Sequence, residues 1–384
     1  MNSSVYVHVP FCARRCDYCS FYSTVSGNEL KTAYTHAVMA EAACRASEAQ
    51  GRTVRSIYFG GGTPSQLPVN DIARILESIF MNFSVHHDAE ITLEANPDDV
   101  SPAFAAALRS VGINRVSMGV QSFHDEVLAS INRRHNASEA VSAVENLYNA
   151  GIGNISIDLI YGLPQQNLAI FEADIDKAIT LPIRHLSSYA LSIEEGTPLF
   201  LRKQQGKIRE ASEETFVKMY SMLCDKLDAA GFLHYEISNF CRPGYESYHN
   251  GGYWNGRQYV GLGPGAHSYD GVRTRRSNDC NLQFYNRFWT SSRQTDNGKP
   301  YEIEELNTME LYDEKIMTRL RCREGLALEE LTYEEQRYLL RTAQPYIQSG
   351  DLQNDGKRIR LTRKGIFISD AIMAELMWDS NLIL

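Results

Sequence analysis

The stretch VYVHVPFCARRCDYC, residues 5–19, joins a short apolar run to three closely spaced cysteines. The run predicts a β-strand, and Cys12, Cys16 and Cys19 follow it on one loop in a C-x3-C-x2-C pattern. Three thiolates on a tight loop can hold three corners of a 4Fe-4S cluster and leave the fourth iron open to another ligand. Structural zinc is the alternative, but it needs four ligands, and only His8 is close enough in sequence to complete them.

Short apolar runs alternate with segments of helical period over the first part of the chain. The runs lie at residues 5–9, 56–59, 90–95, 115–119, 155–160 and 186–191. One segment between them carries the apolar spacing of a single helix face, formed by Ile72, Ile75, Leu76, Ile79 and Phe80. The alternation predicts an α/β fold with parallel strands covered by helices, either a doubly wound sheet or a complete or partial barrel. In both folds the ligand site gathers at the carboxyl ends of the strands.

Composition narrows the class of protein. The chain has 384 residues, 43% of them apolar, and a formal net charge of -9. This length and apolar content predict a folded core and exclude a largely disordered chain. We expect a soluble, cytoplasmic protein because the sequence shows neither a long apolar run nor a signal peptide. The acidic balance argues against nucleic acid as the main partner, since phosphate binding relies on clustered Lys and Arg.

The other five cysteines are scattered singly along the chain. The spacing of the eight cysteines therefore does not predict a disulfide framework. Isolated cysteines of this kind are usually small buried hydrophobes. We therefore expect a packing role for Cys44, Cys224, Cys280 and Cys322. Cys241 is kept open as a ligand candidate.

The amino-acid composition and periodicity change after the alternating region. We therefore predict three domains, at residues 1–231, 232–304 and 305–384. Residues 232–285 are rich in Gly, Tyr, Asn and His and predict loops with short strands beside the barrel. The last segment carries helical stretches followed by Asn354-Asp355-Gly356, and Asp-Gly is a strong two-residue hairpin signal. This order of elements predicts a winged-helix-like α+β module.

The cysteine pattern after the first strand resembles the signature of radical S-adenosylmethionine (SAM) proteins. In that family the amino and carboxylate groups of SAM chelate the fourth iron, and an electron from the cluster cleaves the sulfonium to methionine and a 5'-deoxyadenosyl radical. The resemblance implies a partial (β/α)6 TIM-like barrel. It extends to the glycine-rich loop Gly60-Gly61-Gly62-Thr63-Pro64 after the second strand, where glycines let backbone approach a ligand closely.

Further positions match the narrower group related to oxygen-independent coproporphyrinogen III oxidase. That resemblance implies a SAM-binding set of Tyr6, Tyr18, Gly61, Gly62, Thr63, Glu94, Gln121, Arg133 and Asp158. The charges suit SAM, because carboxylates can accept from its amino and ribose hydroxyl groups and Arg133 can pair with its carboxylate.

Two features resemble the HemW group of haem chaperones rather than the oxidases. The oxidases carry a fourth cysteine two residues after the third, where this chain has Phe21. His249-Asn250-Gly251-Gly252-Tyr253 matches the H-N-x-x-Y element associated with haem in that group. The resemblance implies haem binding by His249, Asn250 and Tyr253, with His249 as the axial ligand and His267 and Cys241 as weaker alternatives.

The resemblance therefore implies a haem chaperone that holds a SAM-ligated cluster, draws on an electron donor and delivers haem to respiratory or other haem proteins. The alternative is a coproporphyrinogen III oxidase that converts propionates to vinyl groups by radical decarboxylation. Nucleic-acid binding by a basic C-terminal wing ranks third, because edge strands often carry such charges; the wing cations are Lys357, Arg358, Arg360, Arg363 and Lys364.

Overall fold

The computed structural model describes residues 1–25, 27–291 and 298–378. Two sheets account for the strands. The first contains β1 (Asn2–Val9), β2 (Thr53–Gly61), β3 (Val85–Ala95), β4 (Arg115–Gln121), β5 (Asn154–Tyr161), β6 (His185–Ala190), β7 (Leu233–Glu236), β8 (Asn239–Cys241), β9 (Tyr259–Leu262), β10 (His267–Tyr269), β11 (Thr274–Asn278) and β12 (Tyr301–Glu305). The second contains β13 (Leu326–Ala327), β14 (Leu352–Asn354) and β15 (Arg358–Leu361).

Helices follow most strands of the first sheet and make up most of the C-terminal segment. They are α1 (Asn28–Cys44), α2 (Val69–Asn82), α3 (Pro102–Ser110), α4 (Asp125–Ser130), α5 (Ala137–Asn149), α6 (Leu168–Thr180), α7 (Pro198–Gln204), α8 (Glu213–Ala229), α9 (Tyr248–Trp254), α10 (Leu282–Thr290), α11 (Thr308–Arg319), α12 (Tyr333–Thr342), α13 (Gln344–Ser349), α14 (Arg363–Ile366) and α15 (Ser369–Leu376).

The strands β1 to β6 pair in sequence order and run parallel, which confirms the predicted partial (β/α)6 barrel. The sheet continues at both edges. β9 runs parallel to β1 on one side, and β8 runs antiparallel to β6 on the other. The region that composition marked as irregular therefore contributes strands to both edges of the barrel sheet.

Packing follows the predicted periodicities. In β1, Val5, Val7 and Val9 join the main hydrophobic core, whereas the rings of Tyr6 and His8 contact each other on the opposite face of the strand. The apolar face of α2 is buried as predicted at Ile72, Ile75, Leu76 and Ile79, but Phe80 at its edge is 49% exposed.

A buried carboxylate ties the later strands to the barrel. Glu41 on α1 is fully buried and accepts hydrogen bonds from Arg45 Nη1 at 2.8 Å, Asn278 Nδ2 at 2.8 Å, Gly263 N at 2.9 Å and the Tyr285 hydroxyl. These donors come from the residue after α1, from β11, from the loop after β9 and from α10. One side chain therefore satisfies polar groups from four parts of the fold.

Replacing that carboxylate breaks the buried ion pair with Arg45, whose guanidinium keeps Glu48 and the Gly261 carbonyl, and removes one acceptor each from Asn278 and Gly263. We expect Glu41→Leu to lower the free energy of unfolding by about 3–5 kcal/mol. Urea denaturation followed by circular dichroism measures the change. Glu29→Leu, on the exposed side of the same helix, should change it by less than about 0.5 kcal/mol; equal effects would contradict this role for Glu41.

The C-terminal segment has its own hydrophobic core, built around Tyr312, Ile316, Leu339, Ile359 and Ile372. Its strands pair antiparallel, as a wing does, and confirm the predicted module. The hairpin turn holds Asp355, Gly356 and Lys357, one residue more than the Asp-Gly signal predicts. The Asp355 carboxylate closes this longer turn by accepting from the backbone N–H groups of Lys357 and Arg358 at 2.9 and 2.8 Å.

Three cations of the wing form ion pairs within the chain: Arg360 with Asp355, Arg363 with Asp225, and Lys364 with Asp351. None of the described helices combines the length and apolar character that crossing a membrane requires.

Candidate functional site

A cavity of about 530 Å³ opens at the carboxyl ends of the parallel strands. Its lining includes the three clustered cysteines together with side chains from the ends of β2 to β6. Of the residues predicted from the sequence, the cavity gathers Cys12, Cys16, Tyr18, Cys19, Gly61, Gly62, Thr63, Glu94, Gln121, Arg133 and Asp158. These residues span about 150 positions of sequence, so the barrel topology is what brings them together.

Backbone hydrogen bonds shape the cysteine loop. The N–H of Cys12 donates to the carbonyl of Thr24 at 3.0 Å, and the N–H of Cys19 donates to the carbonyl of Cys16 at 3.2 Å. The three thiols are free and partly buried. The loop therefore presents three sulfur atoms to one cavity while its backbone is held by the chain around it.

The donor set fits a cluster better than a single zinc ion. Tetrahedral zinc draws its sulfur ligands to about 3.8 Å apart, as Zn–S bonds of about 2.3 Å require. Among the described residues, Cys12, Cys16 and Cys19 do not form a group whose ligand atoms all lie within 4.8 Å of one another. At least one pair of these sulfur atoms is therefore farther apart than zinc would hold it, which suits a cubane, whose iron atoms occupy separate corners.

Two neighbours contact the sulfur atoms. Arg133 Nη1 donates to Cys16 Sγ at 3.3 Å, and Thr63 Oγ1 lies 3.4 Å from Cys12 Sγ. A guanidinium hydrogen bond stabilises negative charge on sulfur. The same guanidinium donates from Nη2 to Asn96 Oδ1 at 2.9 Å and to the Gly119 carbonyl. Arg133 therefore links the cysteine loop to the ends of β3 and β4.

The glycine loop packs tightly against the end of β1. Gly61 has φ = +111°, and a Cβ atom there would lie 2.6 Å from the His8 ring. A Cβ atom at Gly62 would lie 2.9 Å from the carbonyl oxygen of Phe11. The N–H of Gly62 donates to the carbonyl of Val9 at 2.8 Å. A side chain at either position would therefore clash with His8 or Phe11. This requirement for glycine is separate from the predicted approach of the backbone to a ligand.

Two carboxyl groups face the cavity in partly buried positions. Glu94 accepts from the Tyr58 hydroxyl at 2.8 Å and from Gly61 N at 3.1 Å, while Ser117 Oγ lies 3.5 Å from Asp158 Oδ1. Burial raises the pKa of Glu94 to about 7 and that of Asp158 to about 6. Both groups can therefore change charge near neutral pH when a polar ligand enters.

Gln121 carries backbone strain at the cavity wall. It follows an irregularity in the β4–β5 pairing and has φ = +69°, a conformation that costs a non-glycine residue about 1 kcal/mol. Such strain is concentrated at functional sites in general.

Tyr18 and Tyr6, two of the predicted SAM-binding residues, lie at different depths in the barrel. Tyr18 lines the cavity, and burial raises the pKa of its hydroxyl. Tyr6 instead lies inside the barrel below the cavity, where its hydroxyl is 3.1 Å from His8 Nδ1. Its ring packs against the Tyr58 and His249 rings, with centroids 6.2 and 6.1 Å away.

The H-N-x-x-Y element lies at the opposite end of the barrel from the cysteines. The backbone N–H groups of Tyr248 and His249, in the first turn of α9, donate to the Glu90 carboxylate at 3.2 and 3.1 Å. The His249 side chain is 1% exposed and enters the barrel floor beside Ser56, near the start of β2. Asn250 is partly buried, and its N–H donates to Ser247 Oγ at 3.3 Å.

Both ring nitrogens of His249 are already engaged. Nδ1 lies 3.0 Å from Ser56 Oγ, and Nε2 lies 2.9 Å from the Tyr253 hydroxyl. Ser56 donates its own proton to Ser4, so Nδ1 is the donor and Nε2 accepts from Tyr253. Burial lowers the pKa of His249 to about 3, so the ring is neutral. Haem ligation through Nε2 requires the Tyr253 hydroxyl to move away.

The weaker ligand candidates lie in different environments. His267 is exposed on β10, with Nδ1 2.9 Å from Ser277 Oγ. Cys241 is fully buried on β8, and burial raises the pKa of its thiol to about 12. Among the four cysteines assigned to packing, Cys224 is buried and Cys322 partly buried, but Cys44 and Cys280 are exposed, so the packing expectation is wrong for those two.

Asn96 and Tyr58 are among the site residues that the sequence reasoning missed. Asn96 accepts from Arg133, and Tyr58 donates to Glu94. Strand alternation offered a signal for Tyr58, because it pairs in register with Tyr6 and therefore shares the interior face. Phe21, at the position of the missing fourth cysteine, lines the cavity mouth and is 69% exposed.

The fold and this cavity define a radical SAM protein. A family model described as "Radical SAM superfamily" matches residues 6–178, and one described as "HemN C-terminal domain" matches residues 306–368. Membership of this superfamily implies SAM and a 4Fe-4S cluster, and the cavity offers the three thiols and the polar wall that they require.

Relatives narrow the class. The chain is 36% identical to "Heme chaperone HemW" of Mycobacterium tuberculosis over 97% of this chain and 94% of the relative. It is 32% identical to the protein of the same name from Lactococcus lactis, over 98% of both chains. The chain belongs to the HemW family. Among solved structures, coproporphyrinogen III oxidase (HemN) from Escherichia coli matches with a TM-score of 0.82 and 25% identity, over 99% of this chain and 91% of that one.

Proposed function

We propose that this protein is a haem chaperone that binds haem, holds a SAM-ligated 4Fe-4S cluster and delivers haem to haem proteins. The observation that carries the proposal is the similarity to HemW relatives over nearly the whole chain, at 36% identity against 25% for HemN. Phe21 supports it, because an exposed phenyl ring stands where the oxidases have a cysteine.

The cavity residues have distinct proposed roles. Cys12, Cys16 and Cys19 hold the cluster, which supplies one-electron reduction of SAM when both are bound. Glu94 accepts hydrogen bonds from the SAM amino group, and Arg133 pairs with its carboxylate. Asp158 accepts from the ribose hydroxyls, while Gly61, Gly62, Thr63, Gln121 and Tyr18 complete the wall.

Haem is the proposed cargo, and the region of His249, Asn250 and Tyr253 is its proposed site. His249 Nε2 is held by Tyr253 of the same helix, so binding there requires the Tyr253 hydroxyl to move away and the buried imidazole to become accessible. Exposing the imidazole would break its hydrogen bond with Ser56, and movement of the whole helix would also break the two bonds to Glu90.

An anaerobic assay of the cluster-bearing protein tests the proposal. We expect a Soret band on titration with hemin, and no decarboxylation of coproporphyrinogen III with SAM and reductant. Haem transfer to an apo-cytochrome would complete the chaperone function. Formation of protoporphyrinogen would replace the proposal with the oxidase alternative, which the HemN likeness favours.

The same titration tests the axial ligand. His249→Ala should remove the Soret band of the bound haem. His267→Ala, the matched variant at the weaker ligand candidate, should keep it. If the spectrum of His249→Ala equals that of the wild-type protein, His249 is not the ligand.

A further inference from the structure

The H-N-x-x-Y element and the SAM cavity share one stack of aromatic rings inside the barrel. The His249 imidazole stacks on the Tyr58 ring, with centroids 4.9 Å apart and planes at 27°. Tyr6 borders both rings, and Tyr253 meets His249 edge-on at 5.1 Å. The stack connects the floor of the barrel to the residues beneath the cavity.

The upper end of the stack is a hydrogen bond to Glu94. The Tyr58 hydroxyl donates to Glu94 Oε1 at 2.8 Å, while Gly61 N holds Oε2 at 3.1 Å. The lower end is fixed by Ser56 and Tyr253 on the two nitrogens of His249. Each ring is therefore held at its polar end and packed on its face, which leaves few rotamers open to it.

We infer that His249, held by Tyr253, is a positioning residue for the SAM site: it supports the Tyr58 ring, which orients the Glu94 carboxylate. The inference rests on the proposed role of Glu94 as acceptor for the SAM amino group. It gives the H-N-x-x-Y element a function at the cofactor cavity that does not depend on haem.

Charge favours the same arrangement. Burial raises the pKa of Glu94, and the neighbouring Asp158 carboxylate adds to that effect. The hydrogen bonds from Tyr58 and Gly61 oppose it, as does the buried Arg115. Loss of the Tyr58 hydroxyl would leave Glu94 more protonated near neutral pH and less able to accept from an amine.

Binding of two ligands to the cluster-bearing full chain tests the inference. SAM carries the amino group that Glu94 is proposed to hold, whereas 5'-methylthioadenosine lacks it. We expect Tyr58→Phe and His249→Ala to weaken SAM binding about tenfold, and His249→Phe, which keeps a ring on Tyr58, about threefold. Affinity for 5'-methylthioadenosine should stay within about twofold of the wild-type value.

The matched control is Tyr148→Phe, which removes a hydroxyl from an exposed ring on α5. Wild-type affinity for SAM in both Tyr58→Phe and His249→Phe would overturn the inference, as would equal weakening of both ligands. A wild-type protein that carries its cluster but binds no SAM would instead refute the proposed cofactor site. The two failures are therefore distinct.

Discussion

Replacing any one of Cys12, Cys16 or Cys19 with alanine should remove nearly all iron and sulfide from the purified protein. The wild-type chain should bind about four of each after anaerobic reconstitution, and the variants less than about one-tenth of that. A 4Fe-4S cluster with one open iron already has one protein ligand fewer than usual, so the loss of a second exposes two adjacent corners. SAM binding should disappear with the cluster, since the open iron is its anchor.

Cys44→Ala and Cys280→Ala are the matched controls, because both thiols are exposed and lie outside the C-x3-C-x2-C loop. Their iron, sulfide and visible absorbance should equal those of the wild-type protein. Full iron and sulfide content in Cys16→Ala would contradict the assignment. One zinc ion per chain in the wild-type protein would instead support a structural zinc site.

The sequence predicts the cavity well because barrel sites depend on strand ends. Glu94 and Asp158 lie within apolar runs and Gln121 follows one, and parallel pairing brings such positions to one edge whatever their distance along the chain. Cys12 and Gly62 follow the same rule. Knowing the strand order and direction was therefore enough to predict that these residues meet.

The position of the H-N-x-x-Y element could not be read in this way. Whether its side chains are buried depends on where α9 packs, and tertiary contacts determine that position. The Glu90 carboxylate accepts hydrogen bonds from the first N–H groups of the helix, and Ser56 forms a hydrogen bond with His249. A segment rich in Tyr and Gly has the composition expected of a site for a flat ligand. The same composition is expected of side chains that pack at the end of the barrel. Only the fold distinguishes an exposed imidazole from one that is 1% exposed.

Glu94→Gln should weaken SAM binding by between about ten- and a hundredfold at pH 8, the effect expected when a charged acceptor loses its charge. The difference from the wild-type protein should shrink as the pH falls. Burial raises the pKa of Glu94 to about 7, so the wild-type carboxyl becomes neutral below that pH and then resembles the amide. Isothermal titration from pH 5.5 to 8 measures both trends. Glu145→Gln, on the exposed side of α5, is the control.

The same burial predicts that the variant folds at least as well as the wild-type protein. A carboxyl whose pKa rises from 4.5 when unfolded to about 7 when folded loses stability as the pH rises between these values. The loss is complete above pH 7, where it amounts to about 3 kcal/mol. Because the amide also loses the bond from Gly61, we expect Glu94→Gln without ligand to gain about 2 kcal/mol at pH 8 and to lose this gain as the pH falls towards 4.5. Weaker SAM binding in a more stable protein would mark Glu94 as a binding residue, whereas joint loss of stability and binding would contradict that role.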